Sequence, residues 1–157
     1  MIANRYLYHF TTEYEDTYLT RIIVGDTIIN NKTYFVHNEV PFYNCLPFIR
    51  IEGKQMYAFI YWSSWFEIPY LNFDAQIGDT SWYYWYRTDG IVKNVKEKIV
   101  FGEKQKVWTI VPCQQPEKGD SIVYSTKFGE LGFYYDGKKR LELVGAIICN
   151  HRYGAMK

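Results

Sequence analysis

Short runs of β-branched and aromatic residues, each cut off by Gly, Asn or Asp, follow one another along almost the whole chain. This punctuation constrains the fold more than any other feature. A strand needs only a few such residues, and a tight turn needs one that tolerates positive φ or bonds its own backbone. The runs fall at 5–11, 18–24, 27–29, 33–37, 48–51, 55–62, 81–87, 91–101, 105–111, 121–125, 132–135 and 140–149. Between them sit Gly25-Asp26, Asn30-Asn31-Lys32, Glu52-Gly53-Lys54, Thr88-Asp89-Gly90, Gly102-Glu103-Lys104 and Asp136-Gly137. Asn-rich and Asp-Gly pairs between alternating runs are strong hairpin signals. No stretch of about eleven residues keeps the helical apolar spacing between caps. The expectation is an all-β fold of roughly ten or more strands joined by hairpins, an antiparallel barrel or a two-sheet sandwich.

No linker divides the chain, so residues 1–157 are read as one β-rich domain. Net charge is +1, with both signs scattered. Binding to nucleic acid usually needs a basic stripe that displaces counterions, and the segment 93–106 alternates lysines with Val95, Ile99 and Phe101. It reads as the wet face of a strand, and nucleic acid is not expected as a partner. Lys93, Lys96 and Lys98 would guard an exposed edge, which favours a monomer. No apolar run approaches the roughly 18 residues of a membrane span, and residues 1–5 show no signal-peptide pattern.

Cys45, Cys113 and Cys149 form no C-x-x-C pattern, and no pair is singled out for a disulfide. Cys149, after Ile147 and Ile148, reads as a core filler. The pattern G-D-[ST] occurs at Gly25, Gly78 and Gly119, each time before a β-rich run, and reads as a reused strand-entry turn. No H-E-x-x-H, G-x-S-x-G or P-loop occurs. No catalytic residue, metal site or cofactor is assigned, and the chain is expected not to be an enzyme. Two arrangements could still assemble in space: Cys45 with His37 or His151, and a hydrolase site using Asp74, Asp79 or His37. The bland reading of Asp74 and Asp79 is that they cap turns.

Sixteen Tyr, ten Phe and five Trp make the aromatic content unusual. In strands at 55–62 and 82–86, alternation puts rings on both faces, which one wet face does not require. Either a second layer covers them, or they form a binding surface. Trp62, Trp65, Trp82, Tyr84 and Trp85 are the candidate ligand-binding residues, with Trp65 nearest a rim. A carbohydrate, an apolar small molecule or a protein are the candidate partners. The leading expectation is a non-enzymatic module that binds through exposed rings. The alternative is a barrel enclosing one small apolar ligand in a cavity lined by Trp and Tyr.

Four blocks carry a resemblance: I-I-V-G-D-T-I-I-N-N-K-T-Y-F at 22–35, I-R-I-E-G-K-Q-M-Y at 49–57, Y-L-N-F-D-A-Q-I-G-D-T at 70–80 and L-V-G-A-I-I-C-N-H-R-Y-G at 143–154. Together they resemble a group of β-rich domains in secreted or surface proteins of gliding-type Gram-negative bacteria. That group usually has Gly where this chain has Asn31. The resemblance implies a secreted, periplasmic or cell-surface location and carries no activity with it.

Overall fold

The computed structural model describes residues 4–13, 16–38, 48–61, 64–83 and 88–156. They form 13 strands and one short 3-10 turn at Pro116–Lys118. The strands are β1 (Arg5–Thr11), β2 (Asp16–Ile29), β3 (Lys32–His37), β4 (Phe48–Glu52), β5 (Gln55–Tyr61), β6 (Trp65–Asn72) and β7 (Thr80–Tyr83). There follow β8 (Thr88–Val100), β9 (Glu103–Pro112), β10 (Ser121–Ser125), β11 (Gly129–Tyr135), β12 (Lys138–Ile148) and β13 (His151–Gly154). Among the described residues no helix is long and apolar enough to cross a membrane.

The spatial order is β6-β5-β4-β3-β2-β1-β12-β11-β10-β9-β8-β7, with β13 added to β12. Each strand therefore pairs with its sequence neighbour, and β1 closes onto β12. The result is an antiparallel up-and-down sheet curled into a nearly closed barrel. At the break, the Ser81 hydroxyl on β7 donates to the Tyr70 carbonyl on β6 at 2.6 Å. That single side chain bridges strands that share no backbone ladder.

The corner of the barrel is β2. Its first half pairs with β1 and its second half with β3, and the register slips between Ile23 and Gly25. Gly25-Asp26 is thus not a strand end, as its composition implies, but lies inside one continuous strand, just past a bulge at Val24 that carries the strand from one wall to the next. The other two G-D-[ST] copies do open strands: Gly78 and Gly119 have φ of 97° and 81°. There Asp79 accepts from the Gln76 amide at 2.8 Å, and buried Asp120 accepts from the Asp136 amide at 2.6 Å.

Local turn chemistry explains most hairpins. Asn30 and Asn31 (φ 50° and 61°) make the β2–β3 turn, and Asp136-Gly137 (φ 51° and 70°) the β11–β12 turn. Gly53-Lys54 joins β4 to β5, and Phe101-Gly102 joins β8 to β9. Asp89-Gly90 is a correction. Both residues lie inside β8, paired with Trp82 and Ser81. Gly90 is there for space: a Cβ would come within 2.8 Å of the Ile110 Cγ2 and 3.1 Å of the Val111 carbonyl oxygen. The β7 strand ends at Tyr83, and residues 84–87, expected to continue it, lie outside the described residues. Cys149 is a second correction. It is exposed, with φ 48°, in the Cys149-Asn150 turn that ends β12 and leads into β13, a strand beyond the last expected run. Cys113 is half-buried, and Cys45 lies outside the described residues.

Inward-facing residues of the two walls meet across the barrel. Tyr8, Ala58, Ile68, Tyr70, Tyr83, Trp108, Ile110, Ile122, Tyr124 and Phe133 belong to one core. The Tyr70 and Tyr124 hydroxyls hydrogen-bond across it at 2.5 Å, and Trp108 Nε1 donates to the Ala75 carbonyl at 3.1 Å. Large rings with a polar tip suit this job, since each fills volume and can offer its heteroatom to a partner. The middle of the barrel is therefore packed.

Candidate ligand cavity at one end of the barrel

Packing fails at one end. A cavity of about 260 Å³ opens beneath the turn between β10 and β11. Its floor is Tyr6 and Tyr8 of β1, with Arg21 and Ile23 of β2. Phe35 and His37 of β3 and Ile49 and Ile51 of β4 make one wall, and Tyr124 to Glu130 make the other. For scale, an engineered apolar cavity of about 150 Å³ takes a benzene.

The register explains why these side chains meet. Arg21 pairs with Tyr6, Ile23 with His37 and Phe35 with Ile49, so one face of β1 to β4 points to the same space. Phe35 and Ile51 face inward yet remain 47% and 54% exposed. Further out on the same face of β2, Ile28 is 72% exposed. These exposed side chains, toward the β2–β3 and β4–β5 turns, make an apolar lip at the cavity mouth.

Charge is buried at the inner end. The Glu130 side chain is 1% exposed, and its Oε2 lies 3.4 Å from Arg21 Nη1. The Arg21 guanidinium also lies over the Tyr8 ring, 5.3 Å from its centroid. The Tyr8 hydroxyl donates to the Glu130 carbonyl at 3.2 Å. His37 Nδ1 is buried and has no hydrogen-bond partner among the described residues. Burial first, and then the positive charge of Arg21, push the His37 pKa down to about 3. Its imidazole is neutral at pH 7. Burial likewise raises the Tyr6 and Tyr124 hydroxyls above the ordinary phenol range.

A different arrangement covers the outer face of β3 to β6. Arg50 Nε and Nη2 bind the two carboxylate oxygens of Glu67 at 2.6 and 2.9 Å, and Arg50 Nη1 binds Glu52 at 2.7 Å. Lys32 and the Tyr34 hydroxyl also donate to Glu67. The Arg50 hydrogen bonds hold the Glu67 carboxyl down at about 2. The guanidinium sits 3.9 Å from the Tyr57 ring centroid.

The sequence candidates divide. Trp65 is 50% exposed and stacks on Phe59 on this outer face, with centroids 5.5 Å apart and planes 6° apart. Trp82 is half-buried against the core. Trp62, Tyr84 and Trp85 lie outside the described residues. Among the described residues no Trp lines the cavity. Asp74 and Asp79 sit in the β6–β7 loop, where Asn72 and Asp79 cap backbone amides at 2.8 Å, and neither lines the cavity that holds His37. His151 is exposed and bonds the Cys149 carbonyl oxygen. Among the described residues no three His, Cys, Asp or Glu side chains group closely enough to hold a metal ion. A second depression of about 340 Å³, beside Lys93, Thr109 and Asp120, is a shallow trough on the outer surface.

Arg21 and Glu130 were not singled out by sequence. Arg21 left a signal: it shares strand parity with Leu19 and Ile23, so a charge stands on an inward face. Compared with protein-family models, with curated proteins and with solved structures, the chain matches none.

Proposed function

We propose that this protein is a non-enzymatic binding protein whose barrel takes one small, largely apolar molecule in the end cavity. The observation that carries the reading is the cavity of about 260 Å³ with an exposed apolar lip at Phe35 and Ile51 and buried polar groups at its inner end. Inward-facing apolar side chains left in water are costly to the free protein and are covered when a ligand enters. Pockets for small molecules combine this apolar lining with a few placed polar groups.

A second reading has its own observation. Trp65 presents a half-exposed ring held flat against Phe59, beside the Arg50–Glu67 cluster, and a flat ring flanked by polar groups can stack on a sugar.

One titration separates them. Backbone amides of residues 35–37 and 124–130 are followed by NMR as 1-octanol is added to the wild type, I49W and W65A. Filling the cavity with the Ile49→Trp ring should abolish a saturable shift, and W65A should leave it intact. Shifts that survive I49W and vanish in W65A, or a response to soluble polysaccharide instead, would move the site to the outer face.

A further inference from the structure

We propose that the cavity selects a molecule with an uncharged hydroxyl-type head, hydrogen-bonded to His37 Nδ1, and rejects the same molecule with a carboxylate or ammonium head. This rests on the cavity reading above and names its ligand class. The argument is one of charge balance. Arg21 and Glu130 face each other at the inner end, with side chains 15% and 1% exposed, so their charges already compensate. A ligand carboxylate would place a second anion against one guanidinium, and an ammonium would repeat the fault with the opposite sign. Either leaves a buried charge without a counter-charge.

Several other polar groups of the wall are engaged within the protein. The Lys127 ammonium binds both Glu103 oxygens at 2.7 Å and the Tyr153 hydroxyl at 2.8 Å. Ser125 Oγ accepts from the Phe128 amide at 3.0 Å, and Tyr8 donates to Glu130. His37 is different: its buried Nδ1 has no partner among the described residues, next to a space large enough for a ligand. Neutral imidazole offers either a donor or an acceptor at that atom, and a hydroxyl complements both. The tail then runs outward over Ile49, Phe35 and Ile51.

The test measures affinity at pH 7 for 1-octanol, octanoate, octylammonium and toluene, which has no head group. Wild type should prefer 1-octanol over either charged analogue by about tenfold or more, the scale of one hydrogen bond or an uncompensated charge. H37F should lose about tenfold for 1-octanol and little for toluene, and H37Q, which keeps a polar side chain, should restore part of the preference. Toluene binding by H37F also reports that the variant is folded. Octanoate binding as tightly as 1-octanol, or H37F weakening toluene and 1-octanol equally, would falsify the head-group assignment and leave the cavity reading standing. No binding of any of the four to wild type would sink both.

Discussion

Among the described residues, two ion pairs each hold a buried side chain, Arg50 or Glu130, and they are built differently. On the outer face, Arg50 grips Glu67 through two nitrogens, while Lys32, Tyr34 and Glu52 occupy the remaining hydrogen-bonding positions. At the inner end of the cavity, Arg21 Nη1 approaches Glu130 Oε2 to 3.4 Å, and His37 stands beside them with its Nδ1 unpartnered among the described residues. The first is a closed clamp that ties β3, β4 and β6 together. The second is charge-balanced but leaves a hydrogen-bonding atom without a partner on a residue that lines the cavity. Polar networks satisfied from within add rigidity, and those left incomplete mark where something else is to bind. β3 serves both: Lys32 and Tyr34 turn outward to the clamp, and Phe35 and His37 turn inward to the cavity.

The largest expected effect comes from breaking the clamp. Glu67→Gln leaves Arg50 and Lys32 without their carboxylate and should destabilise by about 3 kcal/mol in urea unfolding, the low end for one partner lost from a buried pair. The two regions should also separate along the pH axis. The Glu67 pKa is depressed in the fold from 4.5 to about 2, so its stabilisation is full above pH 4.5 and is lost as pH falls to 2. His37 is depressed from 6.5 to about 3, so the unfolded chain binds its proton first. Its contribution is also lost on acidification, but from pH 6.5 down to 3. Each loss is on the order of 3–5 kcal/mol. Stability measured against pH should keep its upper slope in E67Q and its lower slope in H37F. Identical profiles for the two variants would mean the two regions are not independent.

A smaller effect sharpens the contrast. Replacing both members of a buried pair with apolar residues is often close to neutral. R21M/E130L should therefore change stability by less than about 1 kcal/mol. R50M/E67L should cost about 2 kcal/mol, because Lys32, Glu52 and the Tyr34 hydroxyl lose their partners together. Equal costs in chemical denaturation would show that the cavity pair is as much a clamp as the outer one.

The fold was legible because its signals are local. Asp136-Gly137 and Gly53-Lys54 turn where their chemistry says, and up-and-down connectivity follows from one hairpin after another. Asp89-Gly90 has the same chemistry and misleads, because Gly90 answers a packing demand from Ile110 and Val111 that no local pattern carries. Cys149 misleads for the opposite reason: an apolar run precedes it, yet the chain turns there. The cavity was hidden more deeply. Arg21, His37 and Glu130 come from β2, β3 and β11 and meet only through the register. Counting by twos back from inward-facing Phe133 puts Leu131 inward and Glu130 outward. Pairing at the bulge between Val123 and Tyr124 reverses this and sets Glu130 opposite inward-facing Tyr124. Of the five aromatic candidates, Trp65, the one read as nearest a rim, stands half-exposed, Trp82 packs against the core, and the other three lie outside the described residues.

The smallest effect concerns the turn that sets β3 in place for both regions. Asn30 and Asn31 both hold positive φ, where Asn is tolerated and Gly is favoured. Asn31→Gly relieves the backbone at φ 61° but adds flexibility to the unfolded chain, so the net gain should be only about 0.5 kcal/mol. Asn31→Val puts a β-branched residue there and should cost about 1–2 kcal/mol. The informative part is where the damage appears. β3 presents Tyr34 to one side and His37 to the other, so a loosened turn should weaken amide-exchange protection in β3 before it is felt in β9 or β10. Clamp and cavity should then loosen together. If exchange rises around His37 while Lys32 and Tyr34 stay protected, the clamp alone holds β3, and the turn positions only the apolar lip at Phe35.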